Sequence, residues 1–161
     1  MKPLLTVLLV FFLCAGFARA DAESPAPAPT EMRAVLWTDD YAVALERAAA
    51  ENKHVLLNFT GSDWCVWCHR LRDEVLAKPA FAAYAREQLI LVEVDFPRAK
   101  SLDENLRKQN ASLAEKFGVN GYPTIVLVDA TGGELGRTGY MQGGAKTFVR
   151  ELKRFAAKPR E

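Results

Sequence analysis

The chain has 161 residues, 50% of them hydrophobic, with 21 basic and 20 acidic side chains, a formal charge of +1 and 3 cysteines. That is enough for one domain with one real hydrophobic core. Near-neutral charge argues against nucleic acid or an anionic membrane as the main partner, and so few cysteines leave no structural disulfide framework.

Residues 1–20 read as a cleavable secretory signal peptide. Lys2 supplies a positive start, Leu4 to Phe17 is almost wholly apolar, and Ala18-Arg19-Ala20 is an A-x-A cleavage site. The apolar core is shorter than the roughly 20 residues of a membrane span, and no later segment is long enough. Cys14 follows Phe12-Leu13 rather than the small residue a lipoprotein signal needs, so no stable membrane anchor is expected. The expected location is secreted or periplasmic. Processing near Asp21 would leave two cysteines, and removing Lys2 and Arg19 from the 21 basic residues would leave 19 against 20 acidic ones. Residues 21–33 form a linker whose Pro/Ala run, Ala22 to Thr30, cannot pack a core. A domain over 34–157 and a short tail over 158–161 complete the organisation.

Within the domain, Asp39 to Asn52 places Tyr41, Ala44, Leu45, Ala48 and Ala49 on one helical face, with Thr38 or Asp39 as cap. Val55 to Thr60 reads as a buried strand and Gly61 to Trp64 as a turn. Cys65 to about Ala77 is the next helix, with Leu71, Val75 and Leu76 facing inward. Pro79 interrupts it, and Ala80 to Gln88 adds another turn or two. Leu89 to Phe96 starts apolar on both faces, which suits a central strand covered by helices on both sides. Ser101 to Phe117 carries helical signals, with a break expected near Asn110. Thr124 to Val128 is a further apolar strand, Thr131-Gly132-Gly133 turns into a hairpin arm over Glu134 to Tyr140, and Lys146 to Ala156 closes as a helix. This order implies the α/β class, a mixed sheet between helices.

The chemistry concentrates at Cys65-Val66-Trp67-Cys68, a C-x-x-C pair introduced by Trp64 between a strand and a helix. Two thiols at that spacing can close a disulfide within one helical turn and pass two electrons to or from another protein's cysteines. Cys65 starts the helix, where free backbone N–H groups favour a thiolate. Zinc would need two more ligands, and a second C-x-x-C is absent. His69 extends the motif to C-x-x-C-H, the pattern of covalent c-type haem attachment, with Met141 or Met32 as a second axial ligand. The apolar strands weigh against that alternative. No cofactor is expected under the redox reading. Trp64 is expected to pack under its loop and Trp67 to be exposed as a docking surface. Glu93, an acid inside an apolar strand, reads more readily as a sheet-edge or solvated residue than as a proton acceptor. Asp63 reads as a solvated turn residue.

From Leu36 to Phe155 the chain resembles the thioredoxin superfamily, and in particular secreted bacterial thioredoxin-like proteins. Trp64-Cys65-x-x-Cys68 after the first core strand and Gly121-Tyr122-Pro123-Thr124 before the last apolar strand carry the resemblance. It implies a thioredoxin-like three-layer α/β/α sandwich with a mixed central β-sheet, and a thiol–disulfide oxidoreductase. Cys65 would exchange through an exposed sulfur, and Cys68, deeper in the helix, would resolve the mixed disulfide. The Tyr122–Pro123 bond would be cis beside the thiols, with the Tyr122 backbone pairing with an extended client. Clients bearing cysteines or disulfides, a separate redox partner protein and a monomeric state are implied. Three features differ from thioredoxin. Val66-Trp67 replaces Gly-Pro between the cysteines, Asn58 stands where a buried acid is usual, and Arg98 to Ala111 is longer and could add a surface helix. The remaining alternative is a binding module or holdase with little turnover.

Overall fold

Strands buried on both faces alternate their side chains between two cores, and the arrangement of helices follows from that alternation. The computed structural model describes residues 35–157. The signal expected over 1–20 with Cys14, the linker expected over 21–33 with Met32, and the tail expected over 158–161 lie outside the described residues. In chain order the elements are β1 (Trp37–Thr38), α1 (Tyr41–Glu51), β2 (His54–Thr60), α2 (Val66–Leu71), α3 (Pro79–Gln88), β3 (Leu89–Asp95), α4 (Glu104–Lys116), β4 (Thr124–Val128), β5 (Glu134–Thr138) and α5 (Gly144–Ala156). A π-helical stretch, Arg72–Leu76, continues α2.

The five strands form one mixed sheet in the order β1-β3-β2-β4-β5. β3 runs parallel to both β1 and β2, while β4 runs antiparallel to β2 and to β5. Odd and even positions divide cleanly. Leu56, Leu89, Leu91, Ile125 and Leu127 pack with Leu71, Val75, Phe81, Phe148, Leu152 and Phe155 from α2, the π-helical stretch, α3 and α5. Val55, Leu57, Phe59, Ile90, Val92, Val94, Val126 and Val128 pack with Ala44 and Ala48 of α1 and Leu113 of α4. The result is the expected three-layer α/β/α sandwich.

Several boundaries differ from the sequence expectation. Asp40, not Thr38 or Asp39, caps α1: its carboxylate accepts from the Val43 N–H at 3.0 Å. Ala49 faces solvent. The helix expected from Cys65 to Ala77 turns π-helical at Arg72, with Ala77 N–H donating to the Arg72 carbonyl at 2.8 Å. Lys78 is then held extended by the proline after it, and Pro79 becomes the first residue of α3 rather than an interruption. Helix α4 runs unbroken through Asn110, because that buried side chain leaves its own backbone alone and donates to the Asp95 carbonyl at 2.9 Å. The segment over 98–111 supplies a loop and the first turns of α4, not an additional helix. No described helix is long and apolar enough to cross a membrane.

Candidate functional site

β2 delivers the motif. Its last residue, Thr60, leads into a turn in which the Cys65 N–H donates to the Gly61 carbonyl at 2.9 Å. Cys65 is the extended N-cap of α2, and the Cys68 N–H points at the Cys65 sulfur, N to Sγ 3.2 Å. The two cysteines form a disulfide with their Cα atoms 5.2 Å apart. Both are buried, each 5% exposed, so exposure does not rank the two sulfurs as expected. What separates them is the space behind them. Cys68, and not Cys65, lines a cavity of about 280 Å³ beneath α2.

The turn itself is built around Trp64. Its indole N–H donates to the Phe96 carbonyl at 2.8 Å, its ring stands edge-on to Tyr122 at 5.7 Å, and the Arg98 guanidinium lies 3.9 Å above it. A Cβ on Gly61 would fall 2.4 Å from the Trp64 ring, so glycine is what lets the indole lie there. Trp64 therefore packs and Trp67 is exposed, as expected, with Trp67 52% accessible beside an exposed Val66. Trp67 is not alone. Its ring lies 5.3 Å from that of Tyr140, Arg70 sits over both rings, and Glu74 accepts from Tyr140 Oη at 2.6 Å and from Arg70 Nε at 2.9 Å. The Tyr140 and Arg70 hydrogen bonds hold Glu74 below the usual carboxylate range. Sequence reasoning missed this cluster; the i,i+4 spacing of Arg70 and Glu74 was its one local signal.

Asp63 is exposed but not merely solvated. Its carboxylate accepts from the backbone N–H groups of Arg98 and Ala99, at 3.0 and 2.6 Å, which hold it below its ordinary range. It ties the motif turn to the loop after β3. Asp95 makes a second tie, accepting from Ser62 N–H and Oγ at 2.8 and 2.6 Å and pairing with Lys100 at 2.9 Å. The Tyr122–Pro123 bond is cis. Tyr122 packs against both Trp64 and Phe96, which brings the loop before β4 to the motif turn.

Beneath α2 lie Asn58 and Glu93. They are direct partners in the β2–β3 register, and share the sheet face of Leu56 and Leu91. Both line the cavity with Cys68, His69 and Arg72. Glu93 is half-buried and stands one residue past the β1 pairing, which ends at Thr38–Val92, so only β2 flanks it in the sheet. Burial first, then the Asp95 carboxylate, pushes its pKa above the ordinary range against Lys100 and Arg72. Asn58 is buried, and its Oδ1 has no hydrogen-bond partner among the described residues. The His69 ring bonds the Ser62 carbonyl, so Nε2 carries the proton and donates over 2.9 Å. A larger cleft of about 510 Å³ lies between the loop after β3 and α4, lined by Phe96, Pro97, Lys100, Leu102 and Asn110, and contains neither cysteine.

With that geometry established, comparison with known proteins places the chain. Residues 41–156 match the family described as Thioredoxin-like domain. The "Disulfide bond reductase DsbH" of Chlamydia pneumoniae is 37% identical over 147 residues, covering 91% of this chain and 89% of the relative. The "Thioredoxin-related protein DsbJ" of the same organism is 33% identical over 105 residues, 65% of this chain but 30% of that protein. A solved structure titled "DsbH Oxidoreductase" superposes with a TM-score of 0.75 at 36% identity, over 85% of this chain and 95% of that one. The haem alternative is not favoured: these relatives are thiol–disulfide proteins, the two cysteines are bonded to each other, and His69 Nε2 is engaged. The holdase alternative is not favoured either, since the C-x-x-C pair stands in disulfide geometry.

Proposed function

This chain belongs to the thioredoxin-like family and is a thiol–disulfide oxidoreductase, and from that premise we propose that it is exported and works as a reductase of client disulfides, with Cys65 attacking and Cys68 resolving. The direction of electron flow is supported by the relative named as a disulfide bond reductase, which matches over nearly its whole length. Export is supported by the signal-like residues 1–20. The observation that carries the assignment of roles is the capping geometry. A sulfur that accepts the Cys68 N–H at the first turn of a helix is stabilised as a thiolate by that donor and by the helix dipole. Cys65 is that sulfur.

Clients carry disulfides, and a separate thiol protein returns electrons to the pair. Docking falls to the surface around the motif. The exposed Trp67, with Tyr140, offers aromatic area, and the cis Tyr122–Pro123 segment offers extended backbone to a client strand. The test is trapping. Cys68→Ser should accumulate mixed disulfides with client proteins, seen by non-reducing electrophoresis, while Cys65→Ser accumulates none and loses insulin reduction. Equal trapping by both variants contradicts the assignment.

A further inference from the structure

Resolution of the mixed disulfide requires Cys68 to lose a proton. In the reductase direction the Cys65 thiolate attacks a client disulfide; a Cys65–client S–S bond forms, the client bond breaks, and one client sulfur leaves as a thiolate. Cys68 then attacks the Cys65 sulfur. The Cys65–Cys68 bond forms, the Cys65–client bond breaks, and the second client sulfur leaves with the electron pair. Two electrons have passed to the client, and the Cys68 proton must have somewhere to go.

We propose that Glu93 receives the Cys68 proton across the cavity both residues line, and that Asn58 Oδ1 accepts the hydrogen bond of the carboxyl so formed. The proposal rests on the reading of Cys68 as the resolving thiol. Glu93 is the one acid among the described residues lining that cavity. A volume of about 280 Å³ has room for a relay of several waters, each occupying roughly 30 Å³ of liquid. Asn58, directly opposite in the register and buried, holds an acceptor without a donor, which a protonated carboxyl supplies. Asp95 is held by Ser62 and Lys100 and Arg72 is a cation, which leaves His69 as the rival base: its Nε2 donates to the Ser62 carbonyl and its Nδ1 stays unprotonated, so a His69 variant belongs in the test. The charges facing Glu93 are Asp95 on its own strand, Arg72 of the π-helical stretch, Lys100 of the following loop and Asp39 ahead of α1. Burial and Asp95 raise its proton affinity above that of an ordinary carboxylate, the direction a proton acceptor needs.

The experiment is a stopped-flow reaction of the reduced full chain carrying Cys14→Ser, which leaves Cys65 and Cys68 as its two thiols, with one equivalent of DTNB; one thionitrobenzoate is released when Cys65 attacks and a second when Cys68 resolves. In Glu93→Gln the ratio of second to first rate should fall about 100-fold near pH 7, the scale of a lost general base. The second rate should also become proportional to hydroxide. Adding Asn58→Asp to Glu93→Gln returns a carboxylate to the same face and should restore the ratio. An unchanged ratio in folded Glu93→Gln overturns the proposal, as does a fall in His69→Asn with none in Glu93→Gln. Where Glu93→Gln does not fold, the wild-type profile decides. A second rate that levels above a carboxylate inflection supports Glu93, and one proportional to hydroxide over about pH 5 to 9 overturns it. Failure of the underlying thiol assignment looks different: the first release then survives in Cys65→Ser and disappears in Cys68→Ser.

Discussion

Glu93 occupies a position that an apolar side chain would fill at no electrostatic cost. Its neighbours along the same sheet face are Leu89 and Leu91, and its own pKa is raised, by burial above all. The sign of the stability effect follows. A carboxyl whose folded pKa lies above its unfolded value contributes stability below the unfolded value, about 4.3 for glutamate, and loses it as pH rises through the folded one. Glu93→Gln removes that loss. The variant's Tm relative to wild type, measured on the oxidised protein, should therefore rise between pH 4 and pH 8, roughly the window that opens above glutamate's ordinary value. A Tm difference that stays flat across that range contradicts the burial argument. The pairing of Asn58 with Glu93 was within reach of the sequence. Both share parity with the leucines of their strands, so a parallel β2–β3 pair puts them on one face. What the sequence could not supply was which helix covers that face, and a lone acid in an apolar strand reads as an edge residue without it.

The turn that carries the motif is closed by contacts between loops, and Gly61 is where it leaves no room for a side chain. Trp64 is pinned by its bond to the Phe96 carbonyl and by the Tyr122 ring, so it cannot retreat from an added methyl group. Gly61→Ala should cost about 1–3 kcal/mol in urea denaturation, the usual scale of overpacking, with a shift in tryptophan emission. An unchanged midpoint would show that the indole moves freely. The long apolar strands were legible because their runs are uniform and bounded by turn residues: β2 and β4 lie where expected, the latter to the residue. β1 was not, since two residues carry no periodicity. The π-helical stretch and the unbroken α4 were also missed. One depends on the register between Arg72 and Ala77, the other on a hydrogen bond from Asn110 to a residue 15 positions away.

At the scale of the molecule, sheet order and site location are one fact. β2 sits between β3 and β4, so the loop leaving β2, the loop leaving β3 and the loop entering β4 meet at one end of the sheet. The first ends at Cys65 and leads into the helix that carries Cys68, the second carries Phe96 and Arg98, and the third carries Tyr122 and Pro123. Two motifs far apart in sequence made the family resemblance readable, and the match over residues 41–156 bears it out. The contacts that join the loops were not readable, because Asp63, Asp95 and Arg98 are ordinary loop and strand-end residues whose partners only the fold identifies. The central claim is that the Cys65–Cys68 pair gives electrons to clients. It is tested most directly by the equilibrium reduction potential of that couple against glutathione. A value near that of thioredoxin, about −270 mV, is the predicted result, and a value near that of a strong oxidant, about −120 mV, would contradict the account.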